Sequence, residues 1–333
     1  MEKIDFDALE EGHPITILRI ENAEIAQRTT DLQEELASDP SAEFITRKLE
    51  ELQAIRSHYG KTEELLMPLL YQYGVTGPSQ AIWAADDEIK HELGVLVKLL
   101  AQDAARLPQL RERVGQLLAR IQETICKEEK IVFPMSLRFF TQEDWFAVYR
   151  DLPEFGIAFR TGMADVPSWP PGEAWLEQQG ECEGEWLEGR VQLATGELTL
   201  RQLKGILSLL PVDITFIDKD NILRFFVNEG RVFSRPLSAL GRDVFLCHPP
   251  RLQAMLRQML EDFRTKKASR RAIFKRVRGR RIGVVYHAVY DSAGEYLGTV
   301  EFVQDYEQAL QEFQIWQDLK NQNSSGGIFL SWK

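Results

Sequence analysis

The stretch TLRQLKGILSLLPVDITFIDKDNILRFFV, residues 199–227, decides the fold, because two kinds of periodicity meet in it. Thr199 to Leu210 reads as a helix that Pro211 ends, and Val212 to Ile217 is then a β-rich run. Asp218-Lys219-Asp220-Asn221 is a turn into a second strand, Ile222 to Val227. Downstream, helical spacing returns from Pro250 to Phe263. Three strand-like stretches follow: Ala272 to Val277, Ile282 to Tyr290 and Tyr296 to Gln304, the last two joined by Asp291-Ser292-Ala293-Gly294. Two strands, helical crossings and three antiparallel strands predict an α+β domain with a five-stranded antiparallel sheet over residues 199–306. Residues 307–333 form a C-terminal tail whose Ala309, Leu310, Phe313, Trp316 and Leu319 predict a helix.

Upstream the chain is helical in pattern. Ile15, Leu18 and Ile25 begin a first helix that Ser38-Asp39-Pro40-Ser41 closes. A second runs from about Ser41 to Gln72 and a third from Ser79 to Ala104, with Gly77-Pro78 between them. A fourth runs from Leu107 to about Lys130. Four amphipathic helices with short connections predict an all-α up-down four-helix bundle within residues 1–155. Thr141 and Asp144 have the spacing of a capping box for a shorter helix. Residues 156–198 change character, with Pro167, Pro170, Pro171, several glycines and an acidic run. They read as a linker, although Trp169, Trp175 and Trp186 predict that part of it packs.

The chain has 333 residues, room for two domains, and a formal charge of −11 from 40 basic and 51 acidic side chains. That balance argues against a protein that coats nucleic acid or anionic membranes. No apolar run approaches the roughly 20 residues that span a bilayer, and the start MEKIDFDALEEGHP lacks a secretory signal pattern, so the expected location is cytoplasmic. Three cysteines with no CxxC pair exclude a disulfide framework and a zinc ribbon. Residues 264–281 carry ten Lys or Arg and no acid, so the rest of the chain stands at −21. Arg270, Lys275, Arg278 and Arg280 would form a stripe on a hairpin there. With Phe274 as its one aromatic, the stripe favours a protein partner, the acidic linker or a dimer mate over nucleic acid.

Three of the five histidines lie in the helical half, with the acidic pairs Glu63-Glu64, Asp86-Asp87 and Glu128-Glu129. A bundle core can hold metal when imidazoles and carboxylates point inward from different helices. Acidic pairs are otherwise solvated and a single His is a capping or packed residue, and spacing leaves both readings open. The candidate ligands are His13, His58, Glu63, Asp86, His91, Glu128 and Glu129. In the α+β half a curved sheet with a helical cover can enclose heme, flavin or a small molecule. Cys247 and His248, before Pro249-Pro250, are candidate heme ligands; the competing reading makes Cys247 a core filler and the prolines a helix start.

Gly12-His13-Pro14, Ser57-His58-Tyr59 with Glu63-Glu64-Leu65-Leu66-Met67-Pro68, Ile82-Trp83 with Asp86-Asp87-Glu88-Ile89, and Lys127-Glu128-Glu129-Lys130-Ile131-Val132-Phe133-Pro134 resemble the hemerythrin-like (HHE cation-binding) bundle. Pro211 to Asp218, Gly241-Arg242-Asp243-Val244 with Cys247-His248-Pro249-Pro250, and Tyr296 to Phe302 resemble the PAS domain that follows such a bundle in a bacterial family. The resemblance implies two irons held by His and acid pairs one turn apart. Here Thr62 follows His58 by four, Thr124 precedes Glu128 by four, and Asp86 stands where a His would be expected, so the implied ligand set is incomplete.

The resulting expectation is a cytoplasmic sensor that couples a metal-binding bundle, with iron as cofactor and a degenerate site, to a PAS module. That module would sense a small molecule or gas, with heme as a candidate cofactor, and dimerise or contact a protein partner. No catalytic motif points to an enzyme, and the expected output is protein contact. The alternatives are a di-iron protein of iron handling or nitrosative-stress repair, and a structural interaction protein whose metal site is lost.

Overall fold

The computed structural model describes residues 5–38, 40–159, 167–180, 189–227, 232–233, 235–277 and 279–322. The chain divides into two compact units, Met1–Glu185 with Ser234–Ala254, and Trp186–Phe233 with Met255–Lys333.

The first unit is helical. Its legs are α1 (Pro14–Ala37); α2 (Ala42–Leu52), α3 (Ile55–Lys61) and α4 (Met67–Gln72); α5 (Gly77–Gln102); and α6 (Leu107–Lys127) with α7 (Phe133–Phe139). α1 packs on α2 and α6, and α5 packs on the same two, which closes a four-leg ring. Two further helices, α8 (Gln142–Asp151) and α9 (Pro170–Gly180), complete the order. The Thr141–Asp144 capping box forms as the spacing predicts.

Two legs contain a π-helical turn, Thr62–Leu66 before Pro68 and Glu128–Val132 before Pro134. A proline in mid-helix has no N–H for the carbonyl four residues earlier and its ring collides with it, so the wider turn lets the leg continue past each proline. The second leg, one helix by its sequence pattern, is split into three pieces, by its π-helical turn and by a break at Gln53–Ala54.

The prolines and tryptophans expected in a linker partly pack, as their composition suggested. Trp169 is buried, donates its indole N–H to Glu10 Oε2 (2.6 Å) and meets Phe146 and Tyr149. The backbone of Ser168 comes so close to Gly12 that a Cβ there would lie 2.3 Å from the Ser168 carbonyl oxygen. Gly12 also has φ +84°, so glycine is required. Trp186 lies outside the described residues.

The second unit opens with a short hairpin, β1 (Arg190–Leu193) and β2 (Gly196–Thr199), and α10 (Leu200–Ser208), which Thr199 and Gln202 cap. β3 (Asp213–Asp218) and β4 (Leu223–Phe226) follow; α11 (Pro250–Arg264) begins in the first unit. β5 (Arg270–Val277), β6 (Arg280–Tyr290), β7 (Tyr296–Asp305) and α12 (Tyr306–Gln322) follow. The sheet is antiparallel throughout, in the order β4-β3-β7-β6-β5. Thr215 pairs with Glu301 and Ile217 with Thr299, so one face carries a row of buried polar side chains among its apolar ones. Gly298, opposite Asp218, has φ +152°, and a Cβ there would lie 2.2 Å from the Ile217 carbonyl oxygen.

Candidate functional site

Among the described residues the helical unit shows two hydrophobic clusters. One gathers Ile25, Ile55, Ile89 and Ile121, the other Leu18, Leu65, Trp83 and Val132. On each leg the residues between these positions keep core register but are polar: Glu21 on α1, His58 and Thr62 on the second, Asp86 on α5, Thr124 and Glu128 on the fourth. Spacing of three to four residues on an amphipathic helix keeps all of them on the inward face, so the bundle carries one polar layer between two apolar ones. All six are buried.

His58 is the centre of the layer. Its Nδ1 lies 2.8 Å from Glu21 Oε2 and its Nε2 lies 3.0 Å from Glu128 Oε2. Burial would lower the imidazole pKa, but Glu128 and Glu21 outweigh it and raise it to about 9. Glu21 Oε1 also takes the Lys61 ammonium at 2.8 Å and the Ala158 backbone N–H at 2.7 Å. Burial works against the Glu21 carboxylate, yet His58 and Lys61 bring its pKa below the usual value. Lys61 directs its remaining donors to Ser57 Oγ (3.1 Å) and the Gly156 carbonyl (2.5 Å).

Asp86 has neither carboxylate oxygen hydrogen-bonded, and Glu128 Oε1 and the Tyr59 hydroxyl are likewise buried without partners. Burial, with Glu128 and Glu63 nearby, raises the Asp86 pKa well above the usual carboxylate range. Glu63 makes a forked pair with Lys90 (2.5 and 2.6 Å), while burial lifts its pKa to about 7.

The sequence-predicted ligands therefore separate. His58, Asp86 and Glu128 lie in the polar layer. His13 caps α1, accepting the Ile15 N–H at its Nδ1 (3.2 Å), and packs against Trp145 and Trp169; burial lowers its pKa to about 4. Glu63 pairs with Lys90, Glu129 with Arg19 at 2.9 Å, and His91 is exposed. Among the described residues no three His, Cys, Asp or Glu side chains come together as a group that could hold a metal ion. The donor chemistry does not fit a two-iron centre, since both ring nitrogens of the buried histidine are already held by carboxylates. Glu21 and Lys61 did not stand out in the sequence; their one signal is Glu21's place at a core position between Leu18 and Ile25.

Cys247 and His248 fall in the helical unit, at the end of a short 3-10 turn from Val244 to Cys247. His248 Nδ1 donates to the Val244 carbonyl (2.9 Å), and burial pushes the Cys247 thiol up to about 11. In the basic hairpin Arg280 pairs with Asp305 at 2.5 Å, Lys275 lies over the Phe233 ring, and Arg270 stands opposite His287 on β6. Arg278 lies outside the described residues.

Three of the contacts that join residues 235–254 to the helical unit involve charged side chains. Ser238 N–H donates to Asp151 Oδ2 (2.8 Å), Arg251 pairs with Asp87 (2.7 Å), and the buried Arg242 donates to the Glu64 carbonyl (3.2 Å). That carbonyl lies four residues before Pro68, whose nitrogen carries no N–H to bond it.

A four-leg bundle with a buried histidine–carboxylate layer, followed by an antiparallel five-stranded α+β unit, defines a two-module protein. The comparisons with known families give each module its name. The chain carries a hemerythrin HHE cation binding domain at residues 13–136 and a PAS domain at residues 203–307. Among solved structures it is similar to a C-terminal domain from Streptococcus mutans, at 30% identity over 38% of this chain and 98% of that chain (TM-score 0.36). It is also similar to the PAS domain of BvgS from Bordetella pertussis, at 18% identity over 37% and 97% (TM-score 0.27). A sensory box sensor histidine kinase from Vibrio cholerae matches at 10% identity over 32% and 89% (TM-score 0.24). No curated protein matches. No helix among the described residues is long and apolar enough to cross a membrane.

Proposed function

We propose that this chain is a non-enzymatic, cytoplasmic signalling protein in which the state of the hemerythrin-type bundle is passed to the PAS module and read there by a protein partner or a second copy. The two domain types fit such a role. The observation that carries it is that residues 235–254, inside the PAS match, are held by Asp151, Glu64 and Asp87 of the helical unit. Glu64 adjoins Glu63, whose partner Lys90 also approaches Asp87 (3.4 Å). A shift at the π-helical turn therefore reaches the Arg242 and Arg251 contacts.

The test is amide hydrogen exchange on the full chain with Asp86→Asn, a near-isosteric change at the centre of the polar layer. Altered protection in residues 235–254 and in β3 to β7 is expected. Changes confined to residues 13–155 would overturn the reading.

A further inference from the structure

We infer that this bundle neutralises its polar layer with its own cations, His58 and Lys61, where a cation-binding bundle would place a metal, and that it folds and stays folded without a metal ion. A metal centre needs several donors whose lone pairs converge on one point. Both His58 nitrogens are already engaged, facing Glu21 Oε2 and Glu128 Oε2 at 2.8 and 3.0 Å, so neither is open toward a metal. Lys61 enters the layer from one turn further along the leg and fixes the other Glu21 oxygen. Two cations thus face two carboxylates, each cation within 3.0 Å of an oxygen.

Thr62 and Asp86, also in the layer, stand outside these pairs. Thr62, four residues after His58, gives its hydroxyl to the Tyr59 carbonyl (3.1 Å). Asp86 keeps both carboxylate oxygens buried without a hydrogen-bond partner, and neither His58 nor Lys61 donates to it. A cation entering here could take His58 as a ligand only by breaking its contact with Glu128 or Glu21, and would meet Lys61 as a positive charge one carboxylate away. The inference goes beyond the signalling role and stands apart from it, since metal content and exchange coupling are read separately.

The experiment takes the full chain, produced in medium supplied with iron, zinc and manganese, and measures bound metal by mass spectrometry. Its thermal unfolding is then followed alone, with EDTA, and with added Fe(II) under anaerobic conditions. Metal well below one ion per chain and one unchanged midpoint in all three conditions are expected. One or two ions per chain, or a midpoint that rises with Fe(II) and falls with EDTA, would overturn the inference. A second arm compares Lys61→Met with Lys61→Met/Glu21→Gln. The single change lowers the midpoint and the double change recovers part of the loss, whereas equal midpoints would remove Lys61 from the charge balance. If Lys61→Met does not fold, the metal measurement on the unaltered chain decides.

Discussion

Lys61 Nζ stands 2.8 Å from Glu21 Oε1, and each side chain leaves only 1% of its surface to solvent. Removing one member of a buried pair strands the other charge, which costs about 3–5 kcal/mol, far above the cost of losing an exposed pair. Lys61→Met is therefore expected to cost the helical unit about 3–5 kcal/mol in urea denaturation. Lys48, which pairs with the partly exposed Glu51 at the same kind of distance, is the control, and Lys48→Met is expected to change stability by no more than about 1 kcal/mol.

The histidine at the centre of the layer sets a pH dependence. Its folded pKa, raised to about 9, lies above its ordinary value of 6.5. A group whose pKa is raised by folding stabilises fully below its unfolded value and loses that contribution as pH rises through the folded one. Stability of the helical unit is expected to fall between pH 6.5 and about 9. Glu63, raised from 4.5 to about 7 by burial, adds a loss of the same sign at lower pH, between 4.5 and about 7. Urea midpoints between pH 6.5 and about 9, for the unaltered chain and for His58→Gln, check the assignment. The variant has a flatter slope, and equal slopes would contradict it.

Much of this architecture is legible in the sequence because it rests on local rules. Apolar spacing marks the four legs, Thr141 and Asp144 announce their cap, and the turn at Asp218 to Asn221 separates β3 from β4. The site is less legible, because partners converge from distant legs. Glu21 looks like any solvated helix acid until Glu128 and His58 are brought beside it. His13 carries the same side chain as a ligand would, yet Pro14 and the two tryptophans make it a helix cap. Arg242, in a loop-like stretch of the sequence, gives no local sign of its burial, which comes with donations to the Glu64 and Ser238 carbonyls.

Gly298 tests the register of the PAS sheet. Any side chain there meets a φ of +152° and a carbonyl oxygen 2.2 Å from its Cβ, and that carbonyl belongs to the neighbouring central strand β3. Gly298→Ala is expected to cost about 3 kcal/mol or more, because backbone strain and the clash fall on the same residue. Amide exchange localises the loss. Protection falls first along the β3–β7 pairing while the helical unit keeps its own.

Arg242 and Pro68 give the most stringent prediction, since they are linked through a single backbone oxygen. Pro68 removes the amide that would have bonded the Glu64 carbonyl, and Arg242 Nη1 supplies a donor to it from 3.2 Å. Arg242→Met keeps much of the aliphatic bulk but removes that donor, an expected loss of about 1–3 kcal/mol. Pro68→Ala restores a local N–H, so the same Arg242→Met change made in a Pro68→Ala background is expected to cost less. A double-mutant cycle in urea measures the coupling. Additive costs would mean that Arg242 holds residues 235–254 through its other contacts, and that the carbonyl four residues before Pro68 has no part in docking that segment.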